Sequence, residues 1–375
     1  MQLPEDLQVA LEQMLSSCRS NELKEAREHL SADYREGRNS AKGFQDKTRL
    51  MSYLATRMPA TFGACVAVFQ AVRGRHPSFA CRSFLDLGAG PGTASWAARN
   101  VFPELTTLHL VEREATAIEI GKSLSASWQN GSWRQAGLES SFDIPWVDLA
   151  ALSYAYGELS VDVGHALLDR LWNLKIPLVA VIEPGTPKGF ARIRELRAWA
   201  IAKGAHIVAP CPHEAACPMS GNDWCHFSAR IERTRLHRQL KEGSLGYEDE
   251  KYSYVVYAHP ETELALTPIR GRILRHPHKG SGFVKFPICA EEGVIPIRTK
   301  KPALEPRESA ANRLSGEGVV LPHTTPSPDN RFAAALTRSN ASFFVRVGII
   351  REVTITRSNK VEYRLARDAE WGDTV

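Results

Sequence analysis

No apolar run in this 375-residue chain approaches the roughly 18–20 residues that a bilayer-spanning helix needs. A membrane-spanning helix is therefore not expected. The opening residues Met1-Gln2-Leu3-Pro4-Glu5-Asp6 lack both the basic stretch of a secretory signal and the Arg/Ser-rich amphipathic stretch of an organelle-targeting segment. The expected location is the cytoplasm. Cysteine is scarce and odd in number, at seven, which argues against a disulfide framework. Internal repeats are absent. With 43% hydrophobic and 24% charged residues, the composition excludes a collagen-like, mucin-like or wholly disordered chain. Charge of one sign is nearly balanced, 47 Lys and Arg against 42 Asp and Glu. The imbalance is local, however: Thr186–Lys285 holds 16 basic and 10 acidic residues. Such a concentration points to a polyanionic partner, against the plainer reading of a solvated basic surface.

Apolar residues at helical spacing (Leu7, Ala10, Leu11, Met14, Leu15, then Tyr53, Leu54, Met58, Phe62, Val66) predict an N-terminal helical region over residues 1–76. From Arg82 the pattern alternates. Ser83–Leu87, Thr107–Val111, Val147–Ser153 and Leu178–Ile182 read as buried strands. Ala94–Val101, Ala115–Trp128, Ser160–Asn173 and Phe190–Lys203 read as the joining helices, with His206–Ala209 and Tyr252–Ala258 as final strands. This alternation predicts an α/β domain over 77–260 with a parallel, doubly covered sheet, carrying a cysteine-rich insertion at about 210–241. A small basic β module over 261–300 follows, built from Leu264–Ile273, Gly282–Ile288 and Val294–Thr299. Residues 301–345, rich in Pro, Ser, Ala and Asn, read as a disordered insert and 346–375 as a tail, with Phe343–Ile350 a candidate strand across their boundary.

The strongest local motif is Phe84-Leu85-Asp86-Leu87-Gly88-Ala89-Gly90-Pro91-Gly92-Thr93, which follows a strand and opens a helix. Glycines there permit a sharp turn and close backbone approach to a ligand. The spacing is G-x-G-x-G, because Thr93 stands where dinucleotide enzymes carry their last glycine. With Asp86 two residues ahead, it resembles motif I of class I S-adenosylmethionine-dependent methyltransferases, a Rossmann-like fold. Glu112, ending the second predicted strand, is placed to accept both ribose hydroxyls. The expected cofactor residues are Asp86, Gly88, Gly90, Gly92 and Glu112. Methyl transfer needs mainly in-line positioning. Its candidate residues, at the ends of the fourth and fifth strands, are Tyr154, Tyr156, Glu158 and Glu183. Ordinary strand-end packing is the alternative for the two tyrosines. The N/D-P-P-Y/F signature of base N-methylation is missing, and so is the cysteine pair of 5-methylpyrimidine enzymes.

Cys211, Cys217 and Cys225 cluster in a loop-like stretch with five and seven residues between them, and Cys289 follows in the β module. Three readings stand: free structural cysteines; zinc, using these with His213 or His226; or an iron–sulfur cluster, which wide unequal spacings suit. The C-x-x-C knuckles of zinc ribbons are absent. Taken together, the glycine loop, Tyr154-Ala155-Tyr156-Gly157-Glu158-Leu159, Glu183-Pro184-Gly185-Thr186, the Cys211-Pro212-His213 to Trp224-Cys225-His226-Phe227 stretch and the terminal Glu370-Trp371-Gly372-Asp373 resemble the family of Rsm22 and methyltransferase-like protein 17.

That resemblance implies a methyltransferase-like protein of small-ribosomal-subunit assembly. It also implies a [4Fe–4S] cluster on Cys211, Cys217, Cys225 and Cys289. The segment after Phe227 carries Arg230, Arg233, His237, Arg238 and Lys241, which share one side if it is helical. With Arg272 and Arg275, and the nearby Arg270, His276, His278, Lys279 and Lys285, they are the expected ribosomal-RNA surface. The sequence thus predicts a methyltransferase acting on the small subunit or its rRNA. A non-catalytic assembly factor retaining the fold is the first alternative, and a zinc-containing small-molecule or protein methyltransferase the second. DNA and membrane partners are not expected.

Overall fold

The structure, a computed structural model, describes residues 1–19, 21–27, 46–241, 244–291, 348–356, 364 and 366–374. The expected strand Val294–Thr299 and the expected insert 301–345 lie outside them.

The main sheet grows from short apolar runs. In β1 (Ser83–Leu87) four consecutive residues are buried, as a strand covered on both faces requires. β2 (Thr107–Glu112), β4 (Leu149–Ser153) and β5 (Leu178–Pro184) are similarly enclosed. β3 (Gly131–Gln135), by contrast, is polar and exposed at the sheet edge. The strand order is β3-β2-β1-β4-β5-β8-β6, with β6 (His206–Ala209) and β8 (Tyr247–Ala258). Strands β1 to β5 are parallel, while β8 runs antiparallel to β5. This order, reversing direction at β1 and closing on one antiparallel strand, is that of the class I methyltransferase fold.

Helices cover both faces. On one side lie α1 (Glu5–Leu15), α2 (Lys47–Thr56), α3 (Met58–Arg75) and α4 (Thr93–Val101), whose Leu50, Leu54, Phe62 and Phe69 pack with Phe84 and Leu108. On the other, α6 (Val161–Asn173) and α7 (Pro187–Ala202) bury Leu167, Leu171, Ile193 and Leu196 against Leu85, Val179 and Val181. α5 (Ala115–Leu124) follows β2. Among the described residues no helix is long and apolar enough to cross a membrane.

Phe227–Glu232 forms a strand, β7, and only Arg235–Lys241 forms a helix, α8. The expected continuous basic helix is therefore corrected. Phe227, Ala229 and Ile231 are buried while Arg230 and Glu232 are exposed, a period of two that satisfies the core as a strand. β7 pairs with the first half of β8, from Phe227 opposite Tyr252 to Glu232 opposite Tyr247. β6 pairs with the last residues of the same edge. The cysteine loop is the detour between β6 and β7.

A second sheet holds β9 (Gly271–Ile273), β10 (His278–Lys279), β11 (Phe283–Glu291) and β12 (Gly348–Thr356), all antiparallel. Its central strand β11 carries Cys289, opposite Arg272 on one side and Ile350 on the other.

Candidate functional site

The glycine turn closes at the carboxyl end of β1, beside the point where strand order reverses and ligands of open α/β sheets lie. Gly88 N and Ala89 N both donate to Val111 O, at 2.9 and 3.0 Å. Gly88 sits at φ +73°, and a Cβ there would stand 2.6 Å from the Cβ of Ala155. Gly90 N donates to Glu112 Oε2 at 2.8 Å, while Arg113 N and Glu114 N donate to Glu112 Oε1. The acid at the tip of β2 is thus held rigidly by backbone donors. Asp86 is buried and accepts from Ser95 N and Ser95 Oγ at 3.0 and 2.8 Å, both on one carboxylate oxygen.

These residues line a cavity of about 250 Å³. Its floor is Asp86, Gly88, Gly90 and Glu112, and Gly137, Leu138 and Glu139 close one side. It is also lined by Ser153, Tyr154 and Glu158 at the end of β4 and beyond it, and by Tyr53 of α2, Arg57 between the two helices and Thr61 of α3. Gly92 does not line it. That glycine caps α4 in the left-handed region, and its α-carbon faces Leu110 and Trp133. Tyr156 and Glu183 are also set back from the cavity. The Tyr156 ring packs against Gly164 of α6. Glu183, 1% exposed, accepts from Gly157 N at 3.0 Å and Arg192 Nη1 at 3.2 Å, and so braces the pocket wall from behind. Of the four expected chemical residues only Tyr154 and Glu158 face the cavity.

Tyr154 has φ +58°, an uncommon conformation for a bulky residue and one that clusters at functional sites. Its hydroxyl donates to Glu250 Oε1 at 3.0 Å, and Arg57 grips both oxygens of Glu250 at 3.0 and 3.2 Å. The sequence reading missed Tyr53, Arg57 and Glu250. Glu250 gave no signal, because it lies in the charged first half of β8, Glu248-Asp249-Glu250-Lys251, ahead of the apolar run read as a strand.

Burial pushes the Asp86 carboxyl up to about 7, against the pull of the Ser95 hydrogen bonds. The folded protein therefore favours the protonated acid. Stability is fully present below the ordinary carboxylate range and declines as pH rises toward 7. Asp86→Asn should accordingly raise the melting temperature at pH 8 by several degrees and leave it nearly unchanged at pH 4, as thermal unfolding followed by circular dichroism would read.

The cysteine loop leaves β6 at Cys211 and re-enters the sheet after Cys225. The structure brings Cys289 of the second sheet to it. Cys217, Cys225 and Cys289 pack with Phe190, Met219 and Leu274. Cys289 Sγ lies 3.4 Å from His213 Nε2, and Cys211 Sγ accepts from Arg197 Nε at 3.2 Å. Burial, then the proximity of the other thiols, pushes Cys225 well up and Cys289 up to about 12. Among the described residues no group of three or more His, Cys, Asp or Glu side chains is arranged to hold a metal ion. The donor set is nonetheless four thiols, Cys289 buried and the other three half-buried, near enough to repel one another once ionised, a cost that a cationic centre would offset. Trp224 Nε1 donates to Gly185 O at 3.0 Å, linking the loop to the turn between β5 and α7.

The expected RNA residues are mostly engaged within the chain. Arg230 pairs with Asp249, Arg233 and Lys241 with Glu248, and Arg275 with Asp223. Arg272, 6% exposed, donates to Pro210 O and Gly372 O, so it does not belong to an outward-facing set. Arg238 is exposed.

Among solved structures the chain is similar to the N-methyltransferase NodS from Bradyrhizobium japonicum in complex with S-adenosyl-L-homocysteine (12% identity, TM-score 0.34, 51% of this chain and 85% of that one). It is likewise similar to magnesium protoporphyrin IX methyltransferase from Synechocystis with bound SAM (12%, TM-score 0.33, 54% and 79%). Among curated proteins it is 25% identical over 296 residues to the human mitochondrial ribosome assembly protein METTL17, covering 73% of this chain and 63% of that protein. It is 26% identical over 243 residues to the mitochondrial Rsm22-cox11 tandem protein 2 of Schizosaccharomyces pombe, covering 56% and 31%. The chain thus spans less than two thirds of the length of either relative.

These names, all of mitochondrial proteins, overturn the expected cytoplasmic location. The expectation rested on the first few residues, and where a sequence begins is no guide to what precedes it in the protein. Residues 47–308, well over half of the chain, match the family model described as mitochondrial small ribosomal subunit Rsm22. That span contains the glycine turn and all four clustered cysteines, and the chain belongs to the Rsm22 family.

Proposed function

We propose that this protein serves in assembly of the small ribosomal subunit, binds S-adenosylmethionine in the cavity at the ends of β1, β2 and β4, and holds a [4Fe–4S] cluster on Cys211, Cys217, Cys225 and Cys289. The observation that carries the cofactor reading is the rigid presentation of Glu112 and Asp86 across the glycine turn. A carboxylate held by three backbone donors suits the ribose hydroxyls, and a second acid deep in the cavity, protonated when alone and ionised once a cation lies beside it, suits the cationic methionyl end. Support for the cluster comes from the neighbouring thiols of the loop and of β11, from their wide spacing in the loop, and from the resemblance of that loop to the family's. The cluster would tie the loop to the second sheet with bonds that so small a segment could not replace by burial. Contact with ribosomal RNA falls to outward-facing residues such as Arg230 and Arg238. The exposed ion pair of Arg230 is weak enough for a phosphate to displace its carboxylate.

A second reading, methyl transfer itself, is favoured by one observation: Tyr154 and Glu158 line the cavity together with the cofactor residues. Such a wall can orient an acceptor, which is most of what this chemistry asks of a protein. Incubation of the full chain with tritiated S-adenosylmethionine and immature small subunits separates the two. Particle binding and retained donor without label in RNA or protein is the expected result. Label in the particle would establish the methyltransferase, and absence of particle binding at about 0.1 M salt would overturn the assembly reading.

A further inference from the structure

A buried guanidinium is costly unless its donors are met. Arg197, on α7, is 5% exposed. Its Nε donates to Cys211 Sγ at 3.2 Å, and its Nη2 donates to His213 O at 2.7 Å and Ala215 O at 2.9 Å. The three acceptors span the start of the cysteine loop, so one rigid fork fixes both the sulfur and the backbone that carries it. Its charge also acts at Cys217 and Cys289. The helix supplying it belongs to the cofactor sheet, and its neighbour Arg194 reaches Met219 O of the same loop at 3.4 Å.

We propose that Arg197 is the positioning residue of the four-thiolate site: it sets Cys211 before a cluster arrives and balances the negative charge of the cluster and its thiolates afterwards. This rests on the cluster reading above. An oxidised cubane with four thiolates is a dianion, and reduction adds one further negative charge. A fixed cation in hydrogen-bond contact favours the more negative state, so it raises the reduction potential. A lysine would keep the charge, but its ammonium cannot reproduce the planar fork across three acceptors.

The test uses the full chain and its Arg197→Met and Arg197→Lys variants, loaded anaerobically with equal amounts of ferric and ferrous iron and with sulfide. Midpoint potential is read by dithionite titration with paramagnetic resonance of the reduced cluster, and iron loss by transfer to a colorimetric chelator. Arg197→Met should show a more negative potential than the unaltered chain and lose iron about tenfold faster or more. Arg197→Lys should keep the potential near the unaltered value yet lose iron at an intermediate rate. Equal potential in Arg197→Met and the unaltered chain overturns the proposal, because a merely structural residue would leave the potential in place. If Arg197→Met fails to fold, Arg197→Lys decides: faster iron loss supports the proposal, and an unaltered rate overturns it. Failure of the unaltered chain itself to take up iron is a different result, which overturns the cluster reading and this proposal with it.

Discussion

Cys289→Ser, purified without oxygen, should lose its iron to background while the unaltered chain carries about four irons and the brown absorbance of a cluster. The substitution is nearly isosteric, and the residue sits within β11 between two strands that hydrogen-bond through backbone atoms. The second sheet therefore keeps its shape, and circular dichroism should show the helix and strand content unchanged. What disappears is the ligand that ties this sheet to the loop carrying Cys211, Cys217 and Cys225. Cys65→Ser provides the contrast. That thiol is also buried and lies 3.1 Å from Ser153 Oγ, but it is on α3 in the helical layer, so iron content should not change. One zinc per chain and a colourless preparation in the unaltered protein would refute the cluster and restore zinc as the occupant.

Gly88→Val should weaken binding of S-adenosylhomocysteine on the order of 100-fold, measured by titration calorimetry. Two costs add. An L-residue at φ +73° pays about 1–2 kcal/mol for the left-handed conformation, and the new Cβ meets Ala155 at 2.6 Å, with further atoms of the branched side chain behind it. The turn relieves both by opening, which removes Gly90 N from Glu112 and disperses the floor of the cavity. Gly204→Ala is the informative control. It has φ +90° but open space around its α-carbon, so it should cost some stability and leave affinity alone. Undiminished affinity in Gly88→Val would show that the ligand does not use this turn.

The readable parts of the chain were those where one physical requirement dominates. β1 is legible because a doubly covered strand must be continuously apolar, and the glycine turn because three glycines within five residues have few other uses. Glu112 was found as the acid ending the next apolar run. The cysteine loop could be found from spacing alone. β3, by contrast, is an exposed edge strand reading Gly-Ser-Trp-Arg-Gln, with no apolar alternation to mark it. β7 was misread because basic residues at helical spacing masked the inward Phe227, Ala229 and Ile231. Arg57 and Tyr53 sit in α2 and its end, far from the glycine loop in sequence, and reach the cavity only because the helical layer folds over the sheet. Arg197 gave no signal: an arginine within an amphipathic helix is ordinarily solvated, and its sulfur partner becomes visible only once the loop is laid against α7. The same tertiary folding turned most of the expected RNA-facing arginines inward to carboxylates or carbonyls.

The twelve residues of β8 border three other strands, which imposes an order on the nascent chain. Until residue 258 has emerged, β5 has a bare apolar edge, with unpaired amides and carbonyls open to any neighbouring strand. The whole cysteine loop is made during that interval. Because β8 then closes β5, receives β6 and β7 on its far side, and delivers Glu250 to Tyr154 and Arg57, one late strand seals the aggregation-prone edge, anchors both ends of the loop and completes the cavity wall in a single event.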